Sequence, residues 1–139
     1  MQEKEQPAPP TRSLALKSLQ PVRSDATGER RYADGQATLT DTTEGVSVDL
    51  SVQSLPGVTG FRYPAKTRRG LCFKESPDPP VQADLKPVEI GTDGTAQSTT
   101  LLSDQTMAGL LRGNSSISVE VEQAAWFTSP RISCAELVS

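Results

Sequence analysis

The chain has 139 residues, of which 35% are hydrophobic and 4% aromatic, and its formal net charge at pH 7 is −3. This length suits one domain with a single core, which must be built from aliphatic side chains. The acidic balance argues against a general nucleic-acid-binding protein, and no apolar run approaches the ~20 residues that span a bilayer.

The N-terminal segment differs in composition from the rest of the chain. Residues 1–11 are charged, rich in Gln and Pro, and without hydrophobic periodicity. We therefore predict a disordered tether over residues 1–11 and one folded domain over residues 12–139. A polar tether directly after Met1 is expected of a mature secreted, periplasmic or cell-envelope domain whose signal has been removed. The tether would then lead to a membrane anchor outside this chain; the alternative is a cytosolic protein with an irregular N-terminus.

The first half of the chain contains two predicted strands and one long loop. Ser13–Lys17 alternates weakly and is predicted as a first strand, and the polar stretch Arg23–Asp34 as a loop. The clearest strand is Val46–Val52, where apolar residues alternate with Ser and Asp. This period of two indicates one buried face and one solvated face. Leu55-Pro-Gly57 ends that strand.

The second half continues with strands and one short helix. Pro77-Asp-Pro-Pro80 is predicted as a loop because proline removes ladder donors. Val88 and Ile90 alternate into the turn Thr92-Asp-Gly94, which predicts a hairpin with a partner strand over residues 95–102. Ser103 or Asp104 is predicted to cap a helix that contains Met107 as a core contact and ends at Gly113. Two further strands are indicated by Ile117, Val119 and Val121, and by Ile132 and Cys134.

Many short strands with turn signals between them indicate an all-β sandwich or barrel. The two cysteines, Cys72 and Cys134, admit three interpretations: buried thiols, metal ligands or a disulfide. Metal binding is the weakest of these, since there is no C-x-x-C spacing and the chain has no histidine.

Two segments resemble the secreted copper-zinc superoxide dismutases. Gly57-Val-Thr-Gly-Phe-Arg-Tyr-Pro64, leading to Gly70-Leu-Cys72, resembles the family's Pro-Gly-x-x-Gly-Phe-His-x-His stretch before a cysteine. Pro130-Arg-Ile-Ser-Cys-Ala-Glu-Leu137 resembles its last strand, which supplies the other cysteine. The similarity runs from about Gly35 to Leu137. It implies a Greek-key β-barrel of about eight strands with one short helix, and a disulfide between Cys72 and Cys134.

The same resemblance argues against the family's chemistry. Arg62, Pro64 and Glu120 stand at positions that match copper-binding histidines, so the ligand set is degenerate. Asp84 matches the zinc-binding aspartate, but its partner histidines are missing. The resemblance therefore implies a domain that is not an enzyme and holds no cofactor.

Two functions of different classes remain. In the first, the domain is a non-catalytic binding or structural module, and a basic patch binds an anion or an acidic partner. The patch would consist of Arg62, Lys66, Arg68, Arg69 and Arg131, the last matching the arginine that guides superoxide to copper. A solvated loop whose charges aid only solubility is the simpler interpretation. In the second function, the protein sequesters copper through carboxylates, namely Glu75, Asp78, Asp84 and Glu120.

Strand alternation also predicts directions for side chains near the degenerate site. Phe61 and Tyr63 share one face, and we expect Phe61 to be a core residue. Arg62 would then point out of the barrel, as would Glu120 on the strand of Ile117 and Val119. We expect Arg62 and Glu120 to face each other outside the barrel and to form an ion pair.

Overall fold

Ten β-strands and one short α-helix form the part of the chain that the computed structural model describes, namely residues 11–23, 30–72, 80–112, 114–121 and 131–137. The elements are β1 Thr11–Ser18, β2 Val22–Arg23, β3 Arg30–Arg31, β4 Gly35–Thr42, β5 Gly45–Val52, β6 Arg62–Arg68, β7 Val81–Ile90, β8 Ala96–Leu102, α1 Met107–Arg112, β9 Ser115–Glu120 and β10 Arg131–Leu137.

Eight of these strands close into an antiparallel barrel in the order β1-β10-β9-β6-β7-β8-β5-β4. The connections from β5 to β6 and from β8 to β9 each pass over two intervening strands, which is the Greek-key arrangement. The predicted Greek-key barrel is therefore confirmed. The remaining two strands, β2 and β3, pair only with each other. Arg23 and β3 lie in the stretch Arg23–Asp34, for which the prediction of a loop is therefore wrong at these residues.

The two shortest strand junctions divide the barrel into two four-stranded halves, which we call sheet 1 and sheet 2. Sheet 1 consists of β1, β4, β5 and β8, and sheet 2 of β6, β7, β9 and β10. Only two residue pairs join β7 to β8, and only two join β1 to β10. The first junction is short because Pro87 has no N–H to donate, and the neighbouring Lys86 N–H donates to the Thr100 hydroxyl at 2.8 Å.

The core lies between the inner faces of the two sheets. On β5, the apolar residues Val46, Val48, Leu50 and Val52 are all buried, as the alternation predicts. Ile117 and Val119 of β9 are fully buried opposite them in the second sheet. Burial of each such side chain contributes about 1.5–3 kcal/mol relative to exposure, so these period-two stripes fix which face of each strand turns inward.

Phe61 is not a core residue, so that prediction is wrong. Its side chain is 49% exposed, whereas Tyr63 is buried and its hydroxyl donates to the Pro56 carbonyl. The reason is that β6 begins only at Arg62. Phe61 belongs to the preceding turn, where its N–H bonds the Val58 carbonyl and strand alternation does not apply.

Two element boundaries also differ from the prediction. Thr11 is already part of β1 rather than of the tether. Helix α1 is capped by Thr106, whose side-chain oxygen accepts the Gly109 N–H at 3.0 Å, and not by Ser103 or Asp104. Met107 is buried as expected. Residues 1–10, Pro77-Asp-Pro79 and Gly113, for which the sequence predicts a tether, a loop and a helix end, lie outside the described residues.

The predicted disulfide is confirmed. Cys72, which follows β6, is bonded to Cys134 in β10, with a sequence separation of 62. The bond ties the connection after β6 to the outer side of the last strand. In the chain-entropy model, closing a loop of this length stabilises the fold by roughly 4 kcal/mol.

We predict that the double variant Cys72→Ser/Cys134→Ser loses about 2–5 kcal/mol of unfolding free energy relative to the oxidised protein. Urea denaturation with and without reductant measures this loss. The variant is its own control, because reductant should leave its midpoint unchanged while lowering that of the parent protein. Equal midpoints for the oxidised and reduced parent would contradict the assignment of this role to the disulfide.

Candidate functional site

Glu120 stands at the end of β9 on the outer face of sheet 2, yet only 2% of the residue is exposed. Its strand neighbours alternate: Ile117 and Val119 face the core, whereas Ser116, Ser118 and Glu120 face outward. All six residues of β9 are nevertheless buried. The outer face of this strand is therefore covered, and a carboxylate placed there needs a partner within the protein.

That partner is Arg68, the last residue of β6. Its Nε lies 2.8 Å from Glu120 Oε2 and its Nη2 lies 2.9 Å from Oε1, so the guanidinium binds the carboxylate with two parallel hydrogen bonds. The Ser118 hydroxyl donates a further bond of 2.6 Å to Oε2. The side chains of Arg68 and Glu120 are only 9% and 3% exposed. Bidentate, charge-assisted bonding of this kind is the strong form of an ion pair.

Strand register places Arg68 on the same face of sheet 2 as Glu120. Lys66 lies opposite Ser118 and Arg68 opposite Ser116 in the β6–β9 pair, so all four share the outer face. Glu120 lies four residues beyond Ser116 on β9, about 13 Å along the strand, so both side chains extend along the outer face past Ser118 to meet. The register between β6 and β7 also shifts between Thr67 and Arg68, and such bulges redirect side chains at the ends of strands.

The predicted ion pair between Arg62 and Glu120 is wrong. Arg62 does point out of the barrel, but it lies opposite Glu89 of β7 and pairs with that carboxylate at 2.8 Å. Both side chains are exposed, at 69% and 50%. The alternation of each strand gave the correct face for Arg62, but the partner depends on which strand lies next to β6 on that side.

The other two degenerate ligand positions bring no donor near Glu120. Pro64 is half-buried within β6 and has no side-chain donor or acceptor. Asp84 lies opposite Lys66, and their charged groups are 3.9 Å apart with the carboxylate 79% exposed. Such an exposed pair contributes little to stability. Among the residues that the structure describes, no three Cys, Asp or Glu side chains form a group that could hold a metal ion.

Arg131 is completely buried, with 0% exposure. A register shift in β10 sets it opposite Glu120. Its Nη1 donates to the Leu71 carbonyl at 3.2 Å, and its own carbonyl accepts from Gln20 Nε2 at 2.6 Å. It therefore holds the segment before Cys72 against the barrel rather than facing solvent.

The five residues of the predicted basic patch do not lie together on the protein surface. Arg68 and Arg131 are 7% and 0% exposed, and both are engaged inside the protein. Arg69 is exposed, Lys66 is half-buried, and Arg62 is exposed beside Glu89. The five cations thus do not form one exposed surface, and anion binding stays a prediction for Arg62, Lys66 and Arg69 only.

Two further participants were missed in the sequence. Ser118 bonds Glu120, and its position two residues earlier on the same strand face was the available signal. Glu136 Oε2 accepts the Cys72 N–H at 3.2 Å. The residues that meet on this covered face are Arg68, Ser118, Glu120, Arg131, Glu136 and the disulfide, which we call the covered polar cluster.

No protein-family model and no curated protein matches this chain. The resemblance to the copper-zinc superoxide dismutases therefore rests on the motifs, their order and the positions of the two cysteines.

We predict that Arg68→Met or Glu120→Leu lowers the unfolding free energy by about 3–5 kcal/mol, because each leaves a buried charge without its partner. The double variant Arg68→Met/Glu120→Leu should lose much less than the sum of the two. A double-mutant cycle in urea measures the coupling. Arg62→Ala is the matched control, since removing an exposed pair changes stability by about 0–1 kcal/mol. Additive losses in the cycle would refute a coupled buried pair.

We also predict weak, salt-sensitive anion binding near Lys66 and Arg69. Their field extends over about 8 Å at physiological ionic strength and is screened beyond it. Phosphate titration followed by amide NMR shifts at low salt is the measurement. Shifts should appear at Lys66 and Arg69 and not at buried Arg131. If this segment does not respond to millimolar phosphate, its charges act only in solvation.

Proposed function

We propose that this chain is a non-catalytic, superoxide dismutase-like domain that serves as a binding or structural module outside the cytoplasm. The observation that carries the proposal is the bidentate Arg68–Glu120 pair. At a position that resembles a copper-binding histidine, the chain has a carboxylate whose two oxygens are already bound by its own groups.

The chemistry of the remaining positions supports this proposal. Copper redox centres are built from imidazole, thiolate or thioether ligands. Arg62 offers hydrogen-bond donors and no lone pair, and Pro64 offers neither. A metal at Glu120 would have to displace Arg68 and so separate a buried guanidinium from its carboxylate, which costs about 3–5 kcal/mol.

The alternative, copper sequestration by carboxylates, has less support. Glu120 is bound by Arg68 and Ser118, and Asp84 lies beside Lys66. Glu75 and Asp78 lie outside the described residues. No observation brings these carboxylates together, so copper sequestration has no structural support in the described part of the chain.

The disulfide supports the proposed location. Disulfides form and persist in secreted, periplasmic and cell-surface proteins, and are rare in reducing compartments. The chain joins Cys72 and Cys134 and so fits a secreted or cell-envelope domain. Within the described ranges, no helix has the length and apolar character needed to cross a membrane.

We predict that the protein loaded with copper and zinc shows no superoxide dismutation above a free-copper control. After dialysis, metal analysis should find substoichiometric copper, since Arg68 keeps Glu120 occupied. Arg68→Met is the informative comparison, because it removes the competitor for that carboxylate and leaves the disulfide and Asp84 in place. Dismutase turnover in the parent protein, or one tightly held copper per chain, would overturn the proposal.

A further inference from the structure

Two exposed apolar side chains, Val58 and Phe61, lie together at the end of the barrel where β6 begins. Val58 is 76% exposed and Phe61 is 49% exposed. The Phe61 N–H donates to the Val58 carbonyl at 3.0 Å, so the two residues are the ends of one four-residue turn. Two other exposed apolar side chains, Val81 and Leu101, lie at the opposite end of the barrel, where β7 begins and β8 ends. We call residues 58–61 the apolar turn.

The backbone of the apolar turn is fixed against β7. Gly60 has a φ of 92°, a conformation that glycine adopts without strain. Its N–H donates to the Ile90 carbonyl at 2.7 Å, and the Ile90 N–H donates to the Phe61 carbonyl at 2.9 Å. The turn therefore has a defined shape before any partner arrives.

The ring of Phe61 is held on two sides although half of the residue is exposed. A Cβ atom added to Gly57 would lie 3.1 Å from Phe61 Cβ and 3.2 Å from Cγ, so Phe61 packs directly against the glycine backbone. The Tyr63 ring lies on another side, with the ring centroids 5.1 Å apart and the planes tilted by 58°, a favourable aromatic geometry. A fixed aromatic side chain loses little conformational entropy on binding, and such residues are enriched in the cores of protein interfaces.

An exposed ion pair borders the apolar turn. Arg62 follows Phe61 directly, lies opposite Glu89 and pairs with that carboxylate at 2.8 Å. One positive and one negative group side by side are complementary to a second copy of themselves. In a twofold arrangement, Arg62 of each copy faces Glu89 of the other. An anionic membrane surface or a nucleic acid would instead meet the Glu89 carboxylate as a like charge.

We propose that the apolar turn and the Arg62–Glu89 pair form the interface of a twofold-symmetric dimer of this chain. Val58 and Phe61 of the two copies pack together across the axis, and four charges of alternating sign surround them. The patch is much smaller than the ~800 Å² per partner of a standard interface, so we expect a weak dimer with a dissociation constant of roughly 0.1–1 mM. The interface uses no residue of the covered polar cluster, so it does not depend on whether the protein binds copper.

The direct test is sedimentation of the full chain from about 20 µM to about 1 mM, a range that includes most of the expected dissociation constants. The average mass should rise towards that of a dimer, and amide NMR shifts of residues 58–61 should change with concentration. Val58→Asp should abolish both effects, because it places a charge against an apolar surface. Leu101→Asp is the matched control: it changes an exposed apolar side chain at the opposite end and should leave association unchanged. Circular dichroism confirms that each variant is folded. A parent protein that stays monomeric at 1 mM, or equal association of Val58→Asp, would overturn the proposal.

Exchanging charges tests the twofold arrangement itself. Arg62→Glu and Glu89→Arg should each raise the dissociation constant about tenfold, because each places like charges opposite one another across the axis. An equimolar mixture of the two variants should associate again, since every contact between the two different chains then joins opposite charges. Amide shifts of one isotope-labelled variant on addition of the other, unlabelled variant measure this recovery. A mixture that associates no better than either variant alone would contradict the proposed interface, as would binding of the apolar turn to lipid vesicles without self-association.

Discussion

The two oxygens of the Glu120 carboxylate are bound by Arg68 and Ser118 within a face that is closed to water, and the surrounding structure is arranged to satisfy that buried charge. β6 must end at Arg68 on the outer side of the barrel, and β9 must present Ser118 and Glu120 on that same side. Arg131 and the disulfide hold the Leu71–Cys72 segment against the neighbouring strand. Removing one partner of such a pair costs more than the pair itself contributes, because the other charge stays buried. Breaking the pair is therefore costly even if the intact pair adds little to net stability.

The two sheets of the barrel differ in the charge that they carry on their outer faces. Sheet 2 carries the disulfide, the buried pair and the exposed pairs Arg62–Glu89 and Lys66–Asp84. Each cation of these pairs lies beside a carboxylate, which weakens the positive field on this side of the barrel. Sheet 1 has almost no charge on its outer side and repeats short polar side chains.

Much of the fold could be predicted from the sequence. The apolar stripe of Val46–Val52 indicated the buried face of β5, and the Thr92-Asp-Gly94 turn indicated the β7–β8 hairpin. The resemblance implied the barrel and the disulfide. The contacts of the candidate site were harder to predict than the fold, for two physical reasons. Alternation assigns a face to Arg62 but not a partner, which depends on strand order and on bulges in β7 and β10. Period two also treats Ser116, Ser118 and Glu120 as solvated, because the sequence of a strand does not show that its outer face is covered. The prediction that Phe61 is a core residue was wrong for a related reason, because β6 begins one residue later, at Arg62.

A crystal of the protein grown or soaked with excess copper tests the central claim most directly. Anomalous diffraction at the copper edge locates any bound metal without reference to activity. We expect no peak next to Glu120, and we expect the Arg68 guanidinium to remain on both carboxylate oxygens. A copper peak bonded to Glu120, with Arg68 displaced from it, would contradict the claim that the buried ion pair keeps this carboxylate from binding a metal.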